Sequence, residues 1–197
     1  MRILIAVPTY EGIEPDTFKS IYGLRSCGHE LLYDHVRGYG AARARNLIAK
    51  EALDGAFDAV LMVDSDIILP SDALSFLTQG DCPVVLGTYP RHGDQGGSEV
   101  FLPGQRDFTD SNRVRFADMP RGRFAAKGGG LGCALISTKV FRGLDIPYFK
   151  YVEYSDGSVL SEDNYFCCRC SERGFGIQAD GRVRCGHIKK GAIYGVE

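Results

Sequence analysis

Residues 58–66 read DAVLMVDSD, an apolar run that ends in two aspartates one residue apart. A continuous apolar run of this length is typical of a β-strand that is buried on both faces. Asp64, Ser65 and Asp66 therefore stand at the carboxyl end of a buried strand, where open α/β sheets bind their ligands. Two carboxylates in that position suit a hard divalent cation such as Mg²⁺ or Mn²⁺.

Strand and helix patterns alternate on both sides of this segment. In chain order they predict a strand over 2–7, a helix over 16–27 capped by Asp16, a strand over 29–36, a helix over 41–53, the strand 58–63, a helix opened by Ser71 and running to 79, and a strand over 83–88. Such alternation indicates a mostly parallel sheet covered by helices, which is a Rossmann-like three-layer α/β sandwich.

The second half of the chain is less regular. Residues 91–112 lack periodicity, which predicts a long binding loop or lid. Further patterns predict a strand over 131–136, a helix capped by Ser137, a helix over 161–173 capped by Ser161, and a hairpin over 175–188. Because no linker-like stretch divides the sequence, we expect one domain over residues 1–197.

Composition and charge exclude some classes of function. The net charge is −2, with acids and bases interspersed, so no global basic field favours nucleic acid or an anionic membrane. No apolar run approaches the roughly 20 residues that span a bilayer. Seven cysteines are an odd number, which is more typical of reduced thiols in a cytoplasmic protein than of a disulfide framework.

The Asp-x-Asp pattern has alternative interpretations. It can be an ordinary strand end with two solvated aspartates. It can also hold the nucleophile of a haloacid-dehalogenase-type phosphatase, but there the motif normally ends the first strand and continues into Gly-Thr or Gly-Val. Here the pair follows the third predicted strand and continues into Ile67 and Ile68, so the phosphatase interpretation is disfavoured.

Five further short motifs accompany the aspartates. They are Pro8-Thr9-Tyr10, Arg43-Ala44-Arg45-Asn46, Gly128-Gly129-Gly130, Ser161-Glu162-Asp163 and Gly186-His187-Ile188. In order and approximate spacing this set resembles the glycosyltransferases of the GT-A fold, and in particular the small family-2-like enzymes of bacteria, phages and large viruses. The resemblance extends from Ile3 to Ile188.

The resemblance implies a metal site. In the family, the Asp-x-Asp pair holds a divalent ion on the diphosphate of the sugar donor, and a histidine near the carboxyl end often completes the shell. The matching residues are Asp64, Asp66 and His187, and the implied cofactor is Mn²⁺ or Mg²⁺. An imidazole suits Mn²⁺ better than Mg²⁺.

The resemblance also implies a donor pocket. Pro8, Thr9 and Tyr10 correspond to the base and ribose pocket, Ser65 lies between the two aspartates, and Gly129 and Gly130 lie under the sugar and acceptor. Arg43, Arg45 and Asn46 lie near a helix N-terminus, where free N–H groups and the helix dipole favour anions. Because Arg43 and Arg45 point to different sides of a helix, we expect one of them to face the nucleotide.

Glu162 and Asp163 are the candidate catalytic acids. In inverting members of the family an acid at this place removes the proton of the acceptor hydroxyl, which matches Asp163, with Glu162 as a sugar or acceptor contact. Acids in the first turn of a helix are also favoured by the dipole without any chemistry. A retaining enzyme would need no such base, and the stereochemistry stays open.

A zinc site is a competing interpretation of the carboxyl-terminal region. Cys167, Cys170, Cys185 and His187 have suitable ligand types, although the first two fall within a predicted helix, where buried reduced cysteines are common.

The predicted function is therefore transfer of a sugar from a UDP- or GDP-sugar to an unknown acceptor. The alternative is a nucleotide- or glycan-binding module on the same fold without turnover. At 197 residues the chain is short for the family, so a homodimer or another partner is a possible source of missing acceptor contacts.

Overall fold

The computed structural model describes residues 1–91, 96–104, 108, 112–189 and 192–195, with the backbone alone at 192–194. The helices are α1 (Pro15–Tyr22), α2 (Ala41–Asp54), α3 (Ala73–Leu77), α4 (Thr138–Gly143) and α5 (Glu162–Glu172). The strands are β1 (Arg2–Thr9), β2 (Glu30–Arg37), β3 (Ala59–Val63), β4 (Ile67–Ile68), β5 (Val84–Thr88), β6 (Gly97–Phe101), β7 (Arg113–Arg115), β8 (Arg123–Ala125), β9 (Gly128–Gly129), β10 (Cys133–Ser137), β11 (Val152–Glu153), β12 (Val159–Leu160), β13 (Ile177–Arg184), β14 (Gly186–Lys189) and β15 (Ala192–Tyr194). Within these ranges no helix is both long enough and apolar enough to cross a bilayer.

The central sheet has seven strands in the order β2-β1-β3-β10-β5-β13-β8. β1, β2, β3, β5 and β13 run in one direction, whereas β10 and β8 run antiparallel to their neighbours. The predicted mostly parallel α/β sheet is thus confirmed, with the antiparallel β10 inserted between β3 and β5. Three smaller sheets, β11-β12, β15-β14-β4 and β7-β6-β9, surround it.

Alternate residues of β1 divide the interior into two hydrophobic cores. Leu4 and Ala6 pack into a first core with residues of α2, α4 and α5. Ile3, Ile5 and Val7 pack into a second core with residues of α1 and α3. Because successive side chains of a strand point to opposite faces, this pattern places helices on both sides of the sheet and gives three layers.

Two serines cap helices where the sequence predicts them. The hydroxyl of Ser137 accepts a hydrogen bond from the Lys139 N–H at the start of α4. The hydroxyl of Ser161 accepts one from the Asn164 N–H at the start of α5. Both satisfy N–H groups that have no partner within the helix, and the second fixes the start of the helix that carries Glu162 and Asp163.

Two other predicted caps are wrong. Asp16 is not the cap of α1, because the helix already begins at Pro15 and Glu14 occupies the N-cap position. That helix ends at Tyr22 rather than near residue 27. Gly23 is its C-cap, and the Gly23 N–H donates to the carbonyl of Lys19. α3 begins at Ala73, so Ser71 does not cap it, and the helix ends at Leu77.

The irregular regions contain more pairing than the sequence pattern predicts. Within 91–112, β6 pairs with β7 and with β9, although residues 92–95, 105–107 and 109–111 lie outside the described ranges. The hairpin predicted over 175–188 is wrong. β13 joins the central sheet beside β5, and β14 pairs with β4 and β15. This pairing places His187 opposite Ile67, next to the Asp64–Asp66 loop.

Candidate active site

Arg45 lies at the centre of the candidate site. The side chain projects from the first turns of α2 and the residue is 2% exposed. Its Nη2 lies 2.7 Å from Oδ1 of Asp64, after β3. Its Nη1 lies 2.5 Å from Oε1 of Glu162 and 3.2 Å from Oδ1 of Asp163, at the start of α5. One buried guanidinium therefore joins acids that are separated by about half of the chain, and we call these four residues the Arg45 cluster.

The Arg45 cluster has an excess of acid, since three carboxylates share one guanidinium. Burial raises the pKa of Asp163 to about 7; Arg45 opposes the rise, while Glu162 and Asp64 add to it. Burial also raises the pKa of Asp64 against the effect of Arg45, with Asp66 and Glu162 contributing. Crowded carboxylates of this kind favour a proton or a metal cation among them.

Asp163 has the environment of a proton acceptor near neutral pH. Its Oδ2 accepts a hydrogen bond of 3.3 Å from the Leu131 N–H, which orients the carboxyl group. The side chain as a whole is 19% exposed, whereas its Oδ1, the oxygen nearest Arg45, is buried. A pKa of about 7 matches the operating range in which a carboxylate base is most effective.

Tyr151 contacts the Arg45 cluster from the segment that precedes β11. Its hydroxyl hydrogen-bonds Glu162, and burial together with that carboxylate raises the pKa of Tyr151 to about 12. Glu162 is itself buried and bonded to Arg45. Hydrogen bonds from Arg45 and Tyr151 therefore fix the Glu162 carboxylate, which suits a role in positioning better than one in proton transfer.

His187 and Asp66 face each other beside the Arg45 cluster. Nδ1 of His187 lies 2.7 Å from the Pro90 carbonyl and Nε2 lies 3.4 Å from Oδ2 of Asp66. Burial lowers the pKa of His187, but Asp66, the Pro90 carbonyl and Asp64 together raise it above its ordinary value. A histidine whose Nδ1–H is donated to a carbonyl presents Nε2 as the other ring nitrogen, which is the usual arrangement of a metal-ligating histidine.

The backbone of the aspartate loop is fixed by neighbours on three sides. The Asp64 N–H donates to the Gly132 carbonyl at 3.0 Å, and the Ser65 carbonyl accepts from the Glu14 N–H at 2.9 Å. The Asp66 carbonyl accepts from the Ile188 N–H at 2.8 Å. These bonds hold Asp64 and Asp66 at the edge of the sheet in a defined orientation.

The residues at this edge fit a divalent cation that arrives together with phosphate oxygens. Asp64, Asp66 and His187 supply carboxylate and imidazole donors of the kinds that Mn²⁺ accepts. Among the described residues, no three His, Cys, Asp or Glu side chains are already arranged to hold a metal ion, and Asp64 is engaged by Arg45. Mg²⁺ commonly uses one or two protein carboxylates, with waters and substrate phosphates as the other ligands, so the donor set is sufficient.

The glycines of the 128–132 segment pack against protein groups at the site. A Cβ on Gly130 would lie 2.2 Å from the Tyr89 hydroxyl, and one on Gly129 would lie 2.5 Å from the Glu99 carbonyl. A Cβ on Gly132 would lie 2.9 Å from both Oδ2 of Asp64 and the Tyr89 hydroxyl. The Gly132 N–H also donates to that hydroxyl at 3.0 Å. The small size of these residues thus leaves room for the Tyr89 hydroxyl and for Oδ2 of Asp64.

The predicted donor-pocket residues at the end of β1 differ in exposure. Pro8 and Thr9 are buried, and the Thr9 hydroxyl donates to the Gly12 carbonyl. Tyr10 is 70% exposed. Since the 10–14 loop is tied to Ser65 through Glu14, the Tyr10 ring is the group at this end that remains available to stack on a ligand.

The side chains of Arg43, Arg45 and Asn46 point to different sides of α2 and have different partners. Arg45 enters the Arg45 cluster, whereas the guanidinium of Arg43 lies over the ring of Tyr39, 4.4 Å from its centroid. Asn46 holds the backbone of Tyr148 and Phe149, accepting from both N–H groups and donating to the Phe149 carbonyl. Of the three, Arg45 is thus the residue that contacts Asp64.

The structure separates the four residues of the alternative zinc site. Cys167 and Cys170 lie in the first core. Cys185 lies in the second core, where its thiol hydrogen-bonds Cys133, and this bond together with burial raises the pKa of Cys185 well above its ordinary value. Because the two cores lie on opposite faces of the sheet, the three thiols cannot bind one ion in this fold.

Sequence reasoning did not assign two tyrosines at the site, Tyr89 and Tyr151. Tyr89 follows β5, as Asp64 follows β3, so the strand-end rule could have identified it. Tyr151 lies in a stretch without periodicity, and no local signal links it to Glu162. That contact depends on how residues 144–160 fold back across α2.

The comparisons with known proteins concern the fold. No protein-family model and no curated protein matches the sequence. The crystal structure of A197 from STIV, a viral protein, aligns with 97% of this chain and 87% of its own, at 18% identity and a TM-score of 0.64. The inositol-1-phosphate CTP transferase from T. maritima aligns with 95% of this chain and 89% of its own, at 13% identity and a TM-score of 0.51.

These likenesses support a Rossmann-like α/β fold with a mostly parallel central sheet. A third structure, apo UDP-glucose pyrophosphorylase, aligns with 93% of this chain and 75% of its own at 9% identity and a TM-score of 0.47. At these identities the fold alone is shared, and the roles of the site residues depend on their own geometry.

Proposed function

We propose that this chain is a GT-A-type glycosyltransferase that moves a sugar from a nucleoside diphosphate sugar to an acceptor hydroxyl with the help of Mn²⁺ or Mg²⁺. The observation that carries the proposal is the Arg45 cluster, in which Asp64 of the Asp-x-Asp loop and the acids of α5 meet on one buried guanidinium. A donor site and a base for the acceptor need to be this close for transfer to occur.

The diphosphate end of the donor would lie at Asp64, Asp66 and His187. These residues would hold a divalent ion, which when bound would neutralise the phosphate oxygens and the charge of the leaving group. The exposed ring of Tyr10 lies at the end of β1, where it can stack on the base. The loop that carries Tyr10 is hydrogen-bonded to Ser65 through the Glu14 N–H. This bond would fix the position of the base contact relative to the diphosphate contacts.

Asp163 is proposed as the general base. As the acceptor oxygen attacks the anomeric carbon, its proton passes to the Asp163 carboxylate and a new carbon–oxygen bond forms. The bond between the anomeric carbon and the diphosphate oxygen breaks, and the electron pair leaves with the nucleoside diphosphate. Leu131 orients the Asp163 carboxyl group through a backbone N–H, and its raised pKa makes it a stronger base than an ordinary aspartate.

Arg45 and Glu162 are proposed as positioning residues. Arg45 is enclosed by three carboxylates, so its charge serves to hold them together. Glu162 is bonded to Arg45 and Tyr151, and it borders the space that an acceptor would occupy beside Asp163. These contacts pre-organise the acids before substrate binds.

Nucleotidyl transfer is the rival chemistry, since the CTP transferase from T. maritima shares the fold. The two reactions release different products. Glycosyl transfer from a nucleotide sugar releases a nucleoside diphosphate, whereas nucleotidyl transfer from a nucleoside triphosphate releases pyrophosphate. A binding module without turnover releases neither.

The test is a panel of UDP- and GDP-sugars, and separately of nucleoside triphosphates with sugar phosphates, incubated with the protein and Mn²⁺. We expect slow release of UDP or GDP from one donor by hydrolysis, abolished by EDTA and by Asp163→Asn. Pyrophosphate release would replace the proposal with nucleotidyl transfer. Donor binding without any product would support the binding module.

A further inference from the structure

A groove of about 950 Å³ lies between α2 and the segment 146–151. It is separate from the aspartate loop and takes no part in the proposed transfer. Leu47 and Leu53 of α2 form one wall, and Ile146, Pro147 and Tyr148 form the other. The groove is thus an apolar channel on the outer face of α2.

Several apolar residues of the groove are exposed. Ile146 is 77% exposed, and Leu47 also lies open to solvent. The wall is nevertheless rigid, because the amide of Asn46 holds the backbone of Tyr148 and Phe149 through several hydrogen bonds. A fixed, concave apolar surface that is left open is typical of a ligand site.

Two cations border this apolar surface. Arg43 and Lys150 line the groove, and each lies over an aromatic ring, at 4.4 and 4.9 Å from the ring centroids. Within the described ranges neither makes an ion pair with a carboxylate. The third cation, Lys50, already pairs with Asp54. The groove therefore has a net positive border that an anionic ligand would complement.

The groove ends beside the Arg45 cluster. Tyr151 lines the groove, and its hydroxyl hydrogen-bonds Glu162. An occupant of the groove would therefore contact a residue that touches the cluster.

We propose that the groove is a second binding site, specific for a single-chain anionic amphiphile. The alkyl chain lies along Leu47 and Ile146, and the anionic group contacts Arg43 and Lys150. Binding requires neither metal nor nucleotide, so it stands or falls independently of the proposed transferase activity.

Isothermal titration calorimetry in EDTA tests this with three probes. Decyl phosphate below its micelle concentration carries both the chain and the charge. Decyl maltoside carries the chain alone, and ethyl phosphate carries the charge alone. We expect decyl phosphate to bind about tenfold or more tightly than decyl maltoside, a difference of about 1.4 kcal/mol, and ethyl phosphate to give no measurable binding.

Two groove variants locate the site. Ile146→Asp, at a position already exposed, should weaken decyl phosphate binding about tenfold or more, because it places a charge on the apolar wall. The double variant Arg43→Ala, Lys150→Ala should lower the affinity for decyl phosphate to that for decyl maltoside. Tyr22→Asp and Lys19→Ala on α1 are matched controls and should bind as the unchanged protein does.

Several outcomes would overturn the proposal. They are absence of decyl phosphate binding, equal affinity for decyl phosphate and decyl maltoside, or unchanged affinity in the folded Ile146→Asp protein. Circular dichroism of each variant shows whether it is folded, and if Ile146→Asp does not fold, the Arg43 and Lys150 double variant decides the question.

Discussion

The guanidinium of Arg45 lies 2.7 Å from the carboxylate of Asp64, and this contact links the loop after β3 to the acids of α5. Arg45 is buried, whereas Asp64 is one-third exposed at the edge of the sheet. The Asp64 carboxylate therefore contacts the Arg45 guanidinium on one side and is open to solvent on the other. This relationship is the basis for the predictions about stability and pH that follow.

Replacing Arg45 should be strongly destabilising. Arg45→Met leaves three carboxylates crowded without their counter-charge, and breaking a buried ion pair in this way costs about 3–5 kcal/mol in the free energy of unfolding. Urea denaturation at pH 8 measures the loss. We expect a smaller loss at pH 5.5, since protonation of Asp163, whose pKa is raised to about 7, relieves the repulsion.

Arg43→Ala on the same helix is the matched control, and it should change the stability by no more than about 0.5 kcal/mol. If Arg45→Met were as mild as this control, the cluster could not have the energetic role assigned to it.

The proton on Asp163 should make stability depend on pH. The folded chain keeps this proton up to about pH 7, whereas the unfolded chain releases it near the ordinary value of 3.8. The free energy of unfolding should therefore fall as pH rises from about 4 through 7. Asp163→Asn removes this contribution and should flatten the profile in EDTA, while Glu51, whose pKa is also raised but by burial and Asp34, acts equally in both proteins. Identical profiles would show that Asp163 titrates normally.

Gly130 and Tyr89 should be energetically coupled. A Cβ at position 130 would overlap the Tyr89 hydroxyl at 2.2 Å, so Gly130→Ala should cost about 1–3 kcal/mol through overpacking. In a Tyr89→Phe background the hydroxyl is gone and the same change should cost less. A double-mutant cycle by urea denaturation measures the difference.

Gly122→Ala, where a Cβ meets nothing within 4 Å, serves as its control. Strict additivity of Gly130→Ala and Tyr89→Phe would mean that the segment relaxes away from Tyr89.

Asn46 should determine the order of the segment that contains Tyr148 and Phe149. Its side-chain oxygen accepts from the Tyr148 N–H at 2.9 Å and from the Phe149 N–H at 3.3 Å. Asn46→Leu removes the oxygen that accepts from both N–H groups, so the amide protons of Tyr148 and Phe149 should exchange faster by hydrogen-exchange NMR. The amides of β1 provide the internal reference, and unchanged exchange at 148 and 149 would contradict the assigned role.

The central sheet and its strand ends could be predicted from the sequence because their signals are local. The apolar runs before Pro8 and Asp64 each encode a buried strand, and the serines at 137 and 161 are read directly as caps. The position of β10 between β3 and β5 has no such signal. It depends on long-range pairing, which a single-sequence pattern does not encode.

The candidate site was predictable as a set of residue types but not as a network. Asp64 and Asp163 follow from their motifs, yet the contact of both with Arg45 depends on α2 and α5 meeting over the sheet. The position of His187 beside Asp66 depends on β14 pairing with β4, and the sequence pattern predicted a hairpin there instead.

Metal-dependent nucleotide binding by the Asp64–Asp66 loop can be measured by a thermal-shift titration. UDP, GDP and their sugars are added with Mn²⁺ or with EDTA to the unchanged protein, to Asp66→Asn, and to Asp16→Asn as an exposed control. We predict that one nucleotide raises the melting temperature in Mn²⁺ alone, that Asp66→Asn loses this shift, and that Asp16→Asn retains it. An equal shift in EDTA, or a full Mn²⁺-dependent shift in Asp66→Asn, would contradict the account.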